Sequence, residues 1–124
     1  MDKLEEIFAM QKSLDSFISD SRNLGEKYTK YDWMQKKSLA LIDEITEMLN
    51  EINYKWWKNP KPVDDRAVKE ELVDVLHFFV SMCIDADLTA DELHAIYIDK
   101  NKENIARQQG RSAKLGYELD KSKQ

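Results

Sequence analysis

Hydrophobic residues recur along the chain with the three- and four-residue spacing of helix faces, and not in the alternation typical of strands. These stripes predict a first helix over about residues 3–20 and a second over about 32–54, with a loop over 21–30 between them. The second helix should end before the prolines in residues 59–62. A proline lacks the backbone donor and disfavours helix in the residue before it.

Two further helices are predicted in the second half of the chain. Asp64 or Asp65 can cap a third helix that runs to about residue 85. Thr89, with a glutamate three residues later, has the spacing of a capping box. A fourth helix should therefore begin there and end before Gly110.

Composition agrees with an all-α fold. The chain has 124 residues, of which 42% are hydrophobic and 35% charged, and its three Gly and two Pro are too few for the turns of many short strands. We predict one four-helix, bundle-like domain over residues 1–110 and a polar tail over 111–124. The sequence has no run of about 20 apolar residues, so no membrane span is predicted.

Charge and cysteine content exclude further classes of protein. The net charge of 19 − 24 = −5 argues against nonspecific binding to nucleic acid, which requires a basic surface. The single cysteine, Cys83, excludes an internal disulfide, and its place on an apolar stripe predicts a small buried side chain. Acidic residues near the N-terminus do not fit a signal peptide, so we expect a cytoplasmic protein.

Two pairs of acidic residues are the first candidates for chemistry. Glu44 and Glu47 share one face of the second helix, and Glu71 and Asp74 share one face of the third. Both pairs lie on the same side of their apolar stripes, so an antiparallel hairpin would bring all four carboxylates together. Such a cluster suits Mg²⁺ or Mn²⁺. The alternative is that both pairs are solvated helix faces.

The fourth helix changes character along its length. Its apolar stripe continues as Lys100, Asn104 and Arg107, which are suited to binding a polyphosphate, although a helix end emerging into solvent would show the same change. In the first helix, Gln11 faces inward with Asp15 one turn later, and its amide could read a base edge or bond to nearby backbone. His77 lies away from the acidic pair and is interpreted as structural.

These residues resemble the all-α nucleoside triphosphate pyrophosphatases, the MazG-like superfamily that includes the dimeric dUTPases. The stretch Tyr97-x-x-Lys100-Asn101-x-x-Asn104-x-x-Arg107-Gln108 resembles a dimeric dUTPase motif at every fixed position. Residues 55–58, 73–78 and 10–15 are similar to three shorter segments of that family. The resemblance covers roughly residues 10–109.

The resemblance implies hydrolysis of dUTP to dUMP and pyrophosphate by a homodimer, with Mg²⁺ on the four carboxylates and Mn²⁺ as a substitute. Glu47 is our choice for the general base. The implied ligands are, for the phosphates, Lys58, Tyr97, Lys100, Asn104 and Arg107, and, for the base, Gln11, Asp15 and Trp57. Two alternatives stay open: a house-cleaning pyrophosphatase acting on dCTP or a modified nucleotide, and a non-catalytic helical interaction module.

Overall fold

The structure is a computed structural model that describes residues 1–120, and within this range the chain forms four helices and no strand. The helices are α1 (Lys3–Ser21), α2 (Lys30–Glu51), α3 (Asp65–Asp85) and α4 (Ala90–Gln108). The predicted all-α fold class is confirmed. None of these four helices is long and apolar enough to cross a membrane.

Side-chain caps determine where three of the helices begin. Asp2 caps α1, Thr29 and Asp32 form a reciprocal capping box at α2, and Asp64 accepts two backbone N–H groups at the start of α3. Of the two caps that the sequence offered for α3, the structure uses Asp64. Caps of this kind stabilise a helix by about 1 kcal/mol each.

The second helix ends three residues earlier than predicted, at Glu51. Asn53 adopts the left-handed conformation with φ of 60°, which asparagine tolerates better than most residues. Its side chain donates to the carbonyl of Lys61 at 2.8 Å and accepts from the same residue's N–H at 3.0 Å. These two bonds hold the following loop beside the helix end, so the chain leaves the helix there.

The chain divides into two compact units, and the first, Met1–Thr89, contains α1, α2 and α3. Helices α2 and α3 are antiparallel: Lys37, early in α2, pairs with Asp85 at the end of α3. Further along α2, Glu44 lies beside Glu71, which is early in α3. The hairpin predicted from the sequence is therefore present.

Helix α1 packs along α3 in the same direction. Gln11 contacts His77, and one turn later Asp15 contacts Ser81. The apolar side chains buried in this unit include Cys83, which is 5% exposed, so the prediction of a small buried side chain there is confirmed. This arrangement leaves α3 between the other two helices, with polar residues on both of its packed flanks.

The second unit begins at Ala90 and contains α4 and the segment that follows it. The hydroxyl of Ser112 donates to Glu103 at 2.6 Å, and the guanidinium of Arg107 lies 5.5 Å from the ring centre of Tyr117. Part of the predicted polar tail thus contacts α4. Residues 121–124 of that tail lie outside the described residues.

Candidate functional site

The hairpin of α2 and α3 gathers three of the four predicted carboxylates. Glu44 and Glu47 from α2 and Glu71 from α3 each offer an oxygen, and these oxygens lie within 4.8 Å of one another. The carboxylate of Asp74, one turn beyond Glu71, is close enough for its charge to act on both Glu44 and Glu71. We call these four residues the carboxylate cluster.

The carboxylate cluster has too much negative charge for its surroundings. Burial, together with the neighbouring carboxyls of Glu47, Glu71 and Asp74, raises the pKa of Glu44 from 4.5 to about 7. Burial also raises the pKa of Glu71, with the charges of Glu47 and Asp74 adding to that effect. The Oε2 atoms of Glu44 and Glu71 are buried, and neither has a hydrogen-bond partner among residues 1–120.

A divalent cation in the carboxylate cluster would neutralise the repelling carboxylates and would also give the buried oxygens of Glu44 and Glu71 a partner. Buried oxygens without a donor and carboxylates that repel one another are destabilising unless a positive charge lies between them. Hard oxygen ligands are those that Mg²⁺ and Mn²⁺ prefer. The donor set of the carboxylate cluster therefore fits the cation expected from the sequence.

A cleft of about 550 Å³ lies between α1, α2 and α3. Its lining includes Gln11 and Asp15 from α1, the two residues of this helix that are assigned to the base. Ala40 of α2 and His77 of α3 also line the cleft. Ala40 lies four residues before Glu44, and His77 lies three residues after Asp74. At 1.5 Å of rise per residue, these offsets are about 6 Å along the axis of α2 and about 4.5 Å along that of α3.

A chain of hydrogen bonds crosses one wall of this cleft. His77 Nδ1 lies 2.6 Å from Gln11 Oε1, Gln11 Nε2 donates to Asp15 Oδ1 at 2.9 Å, and Ser81 Oγ donates to Asp15 Oδ2 at 2.7 Å. Gln11 and Ser81 are buried. Two members of this wall, His77 and Ser81, are not among the site residues predicted from the sequence. Their four-residue spacing within an apolar helix, continued by Asp85, was the available signal.

Lys37 carries positive charge into the same cleft. Its ammonium pairs with Asp85 at 2.6 Å and lies 4.0 Å from Asp15 Oδ2. All three side chains are largely shielded from solvent. Two carboxylates thus face one lysine, and Asp85 holds the closer position.

Two residues assigned to the substrate lie on the loop after α2. Trp57 is 60% exposed, packs edge-on against Trp56 at 4.8 Å between ring centres, and does not line the cleft. Trp56 is 86% exposed, so neither of these two tryptophans packs in the core. Lys58 lines a separate recess of about 340 Å³ together with Lys55 and Lys61.

The remaining phosphate candidates lie on α4 in the second unit. Tyr97, Lys100 and Asn104 are exposed and share one helix face with Arg107. The guanidinium of Arg107 pairs with Glu103, its Nε lying 3.0 Å from Oε1. The roles assigned to these four residues stay predictions.

Comparison with known proteins places the chain in a family. A family model described as dUTPase matches residues 3–91, which is most of the chain and includes the whole carboxylate cluster. The chain belongs to the all-α dUTPase family. The match covers Gln11, Asp15 and the loop with Trp57 and Lys58, whereas nearly all of α4 lies outside it.

Individual relatives of this dUTPase-family chain agree with that placement. A dCTP pyrophosphatase of Enterobacteria phage LZ5 is 32% identical over 106 residues, which cover 83% of this chain and 60% of that protein. A dCTP pyrophosphatase of Enterobacteria phage T4 is 28% identical over 100 residues, covering 61% of this chain and 58% of that protein. The chain thus spans about 60% of the length of these relatives. No solved structure matches it.

Proposed function

We propose that this chain is a Mg²⁺-dependent nucleoside triphosphate pyrophosphohydrolase that converts a pyrimidine deoxynucleoside triphosphate into its monophosphate and pyrophosphate. The observation that carries the proposal is the convergence of Glu44, Glu47 and Glu71, with oxygens within 4.8 Å of one another. Membership of the dUTPase family supports the same reaction. So do the names of the two phage relatives.

The carboxylate cluster would hold the cation, with Mn²⁺ as a possible substitute for Mg²⁺. The buried Oε2 atoms of Glu44 and Glu71 supply ligands that have no donor among the described residues. When bound, the cation neutralises phosphate charge and activates water for attack on phosphorus. These are the two requirements of hydrolysis at the α-phosphorus.

Glu47 is the residue we assign as general base. Among the three converging glutamates its side chain is the exposed one, so it can reach a water molecule that enters from solvent. Glu47 would take a proton from that water as the new oxygen–phosphorus bond forms at the α-phosphorus. The bond from this phosphorus to the bridging oxygen breaks, and pyrophosphate leaves.

The cationic side chains would hold the phosphates. We assign Lys58, Tyr97, Lys100, Asn104 and Arg107 to this role. Lys58 has two further lysines in its recess, Lys55 and Lys61, which strengthen the local positive potential. Arg107 Nε donates to Glu103, and the other N–H groups of the guanidinium would bind phosphate oxygens.

We assign the base to the cleft that contains Gln11 and Asp15. Its volume of about 550 Å³ lies in the range typical of small-molecule sites. Trp57 lies outside the cleft lining and would stack on the base only after movement of its loop. The sequence resemblance favours dUTP, whereas the names of the phage relatives favour dCTP as the second candidate.

We also propose that the protein is a homodimer. Large apolar side chains of the first unit are exposed, among them Met10, Phe17, Leu39 and Ile42, with exposed fractions from 57% to 69%. Covering such surface with a second copy would remove it from water, and two-fold pairs are the commonest closed assembly. Sedimentation should find a species of twice 14.6 kDa at micromolar concentration. A monomer alone would refute the dimer.

The reaction is tested by measuring pyrophosphate release from each common nucleoside triphosphate, with Mg²⁺ and with a chelator. We expect release from dUTP or dCTP that depends on the cation. The opposing hypothesis, a helical interaction module with solvated acidic faces, predicts no release from any nucleotide and no stabilisation by Mg²⁺. That pair of results would refute the proposed activity.

A further inference from the structure

The wall of the cleft beside the carboxylate cluster has a defined direction of hydrogen bonding. Gln11 Oε1 can only accept, so His77 Nδ1 carries the proton in the 2.6 Å contact between them. Gln11 Nε2 then donates to Asp15 Oδ1, and the hydroxyl of Ser81 donates to Asp15 Oδ2. Every donor in this chain points toward Asp15.

The opposite orientation of Gln11 is unfavourable. Turning its amide by 180° would place Oε1 against a carboxylate oxygen of Asp15, and two acceptors would then face each other. Gln11 is 6% exposed, so water has little access to separate them. The carboxylate at position 15 therefore determines the direction of the whole chain of bonds.

This direction determines what the cleft can offer to a ligand. A carboxylate has about four acceptor positions and no donor, and the contacts with Gln11 and Ser81 use two of them. Asp15 lines the cleft and its side chain remains 26% exposed. Its free acceptor positions favour a ligand edge that carries an N–H donor and disfavour one that carries a carbonyl oxygen.

Given the proposed function, on which this inference rests, we propose that Asp15 selects a pyrimidine with a 4-amino group over one with a 4-keto group. His77, Gln11 and Ser81 act as positioning residues for its carboxylate. Lys37 is the lysine that faces Asp15, at 4.0 Å, and its pairing with Asp85 at 2.6 Å and its approach to Asp15 direct its N–H donors toward these two carboxylates. The probe for the amino class is dCTP, and the probe for the keto class is dUTP.

The decisive variant is Asp15→Asn. The amide nitrogen introduced at position 15 adds a donor at the cleft and lets Gln11 reverse, donating to His77 and accepting from position 15. We expect the wild-type ratio of kcat/KM for dCTP to that for dUTP to exceed about tenfold, and Asp15→Asn to lower it by about tenfold or more. Asp20→Asn, an exposed position on the same helix outside the cleft lining, should leave the ratio unchanged.

Binding of the products gives a second readout that needs no turnover and no variant. In calorimetry with the wild-type chain, dCMP should bind at least about tenfold more tightly than dUMP. Equal or tighter binding of dUMP would overturn the assignment of Asp15, as would a folded, active Asp15→Asn protein with the wild-type ratio. A chain that prefers dCMP but releases no pyrophosphate would support Asp15 as the selecting residue and refute the proposed hydrolysis.

Discussion

Neutralising Glu44 should stabilise the metal-free protein while removing its response to Mg²⁺. The carboxylate oxygens of the cluster lie up to 4.8 Å apart. Two unit charges at that distance repel by about 0.9 kcal/mol in water and about 3.5 kcal/mol at an effective dielectric constant of 20. Because the carboxylate cluster reaches solvent through Glu47, we take the lower end. Glu44→Gln should therefore raise the free energy of unfolding by about 1 kcal/mol, or Tm by about 4 °C.

The gain should depend on pH in a defined direction. The pKa of Glu44 is raised from 4.5 to about 7 in the folded protein. Between these values the folded state therefore holds a proton that the unfolded chain has lost, and the stability of the metal-free wild type falls as pH rises through this window. Glu44→Gln removes that dependence. The stability difference should be smallest at pH 4.5, grow up to about pH 7, and stay constant above it.

Thermal or urea unfolding at pH 4.5 and pH 8, with a chelator or with Mg²⁺, tests this reasoning. A cation present at 100 times its Kd stabilises the wild type by about 2.7 kcal/mol, and the variant should lose most of that gain. The matched control is Asp43→Asn, which makes the same charge change at the adjacent exposed position of α2. A variant less stable than wild type at pH 8 in chelator, or one with the full Mg²⁺ response, would refute the argument.

Three other predictions concern the reaction and the cysteine. Glu47→Gln or Asp74→Asn should lower kcat more than about tenfold, or about 1.4 kcal/mol in the barrier, with an unchanged circular dichroism spectrum; a smaller loss would contradict the metal assignment. Gln11→Ala should reduce the ratio of kcat/KM between the preferred and the disfavoured nucleotide of the pair dUTP and dCTP, whereas Lys100→Ala should lower kcat/KM equally for both. An unchanged ratio in Gln11→Ala would show that Gln11 has only a structural role. Burial raises the pKa of the Cys83 thiol, so a disulfide reagent should label it only after urea unfolding, and rapid labelling of the native chain would argue against that burial.

The helices could be predicted because their signals are local. Apolar stripes with a period near 3.6 and polar caps such as Asp64 act within a few residues, and the structure places α1 and α3 within one residue of the predicted bounds. The end of α2 was missed because it depends on Asn53 bonding to Lys61, eight residues later. A loop contact of that length leaves no periodic pattern.

The convergence of the carboxylates could also be predicted, since it needs only helix geometry and one antiparallel hairpin. Glu44 and Glu71 meet because both lie at equal offsets from the apolar stripes of sequential helices. Helix offsets do not show which oxygens are buried or that the pKa of Glu44 rises to about 7, because both depend on how the side chains pack.

The wall around Asp15 was not predicted, because the spacing of His77 and Ser81 within α3 can be interpreted only when the direction of α1 is known. Gln11 meets His77 and Asp15 meets Ser81 only because α1 runs parallel to α3, whereas the sequence predicts only the pairing of α2 with α3. Within α3 alone, His77 and Ser81 interrupt an apolar pattern and resemble tolerated polar residues. Their role in the cleft wall depends on contacts with Gln11 and Asp15, which lie more than 60 positions earlier in the chain. A polar side chain on a packed helix face therefore becomes informative only when the facing helix, with its register and direction, is known.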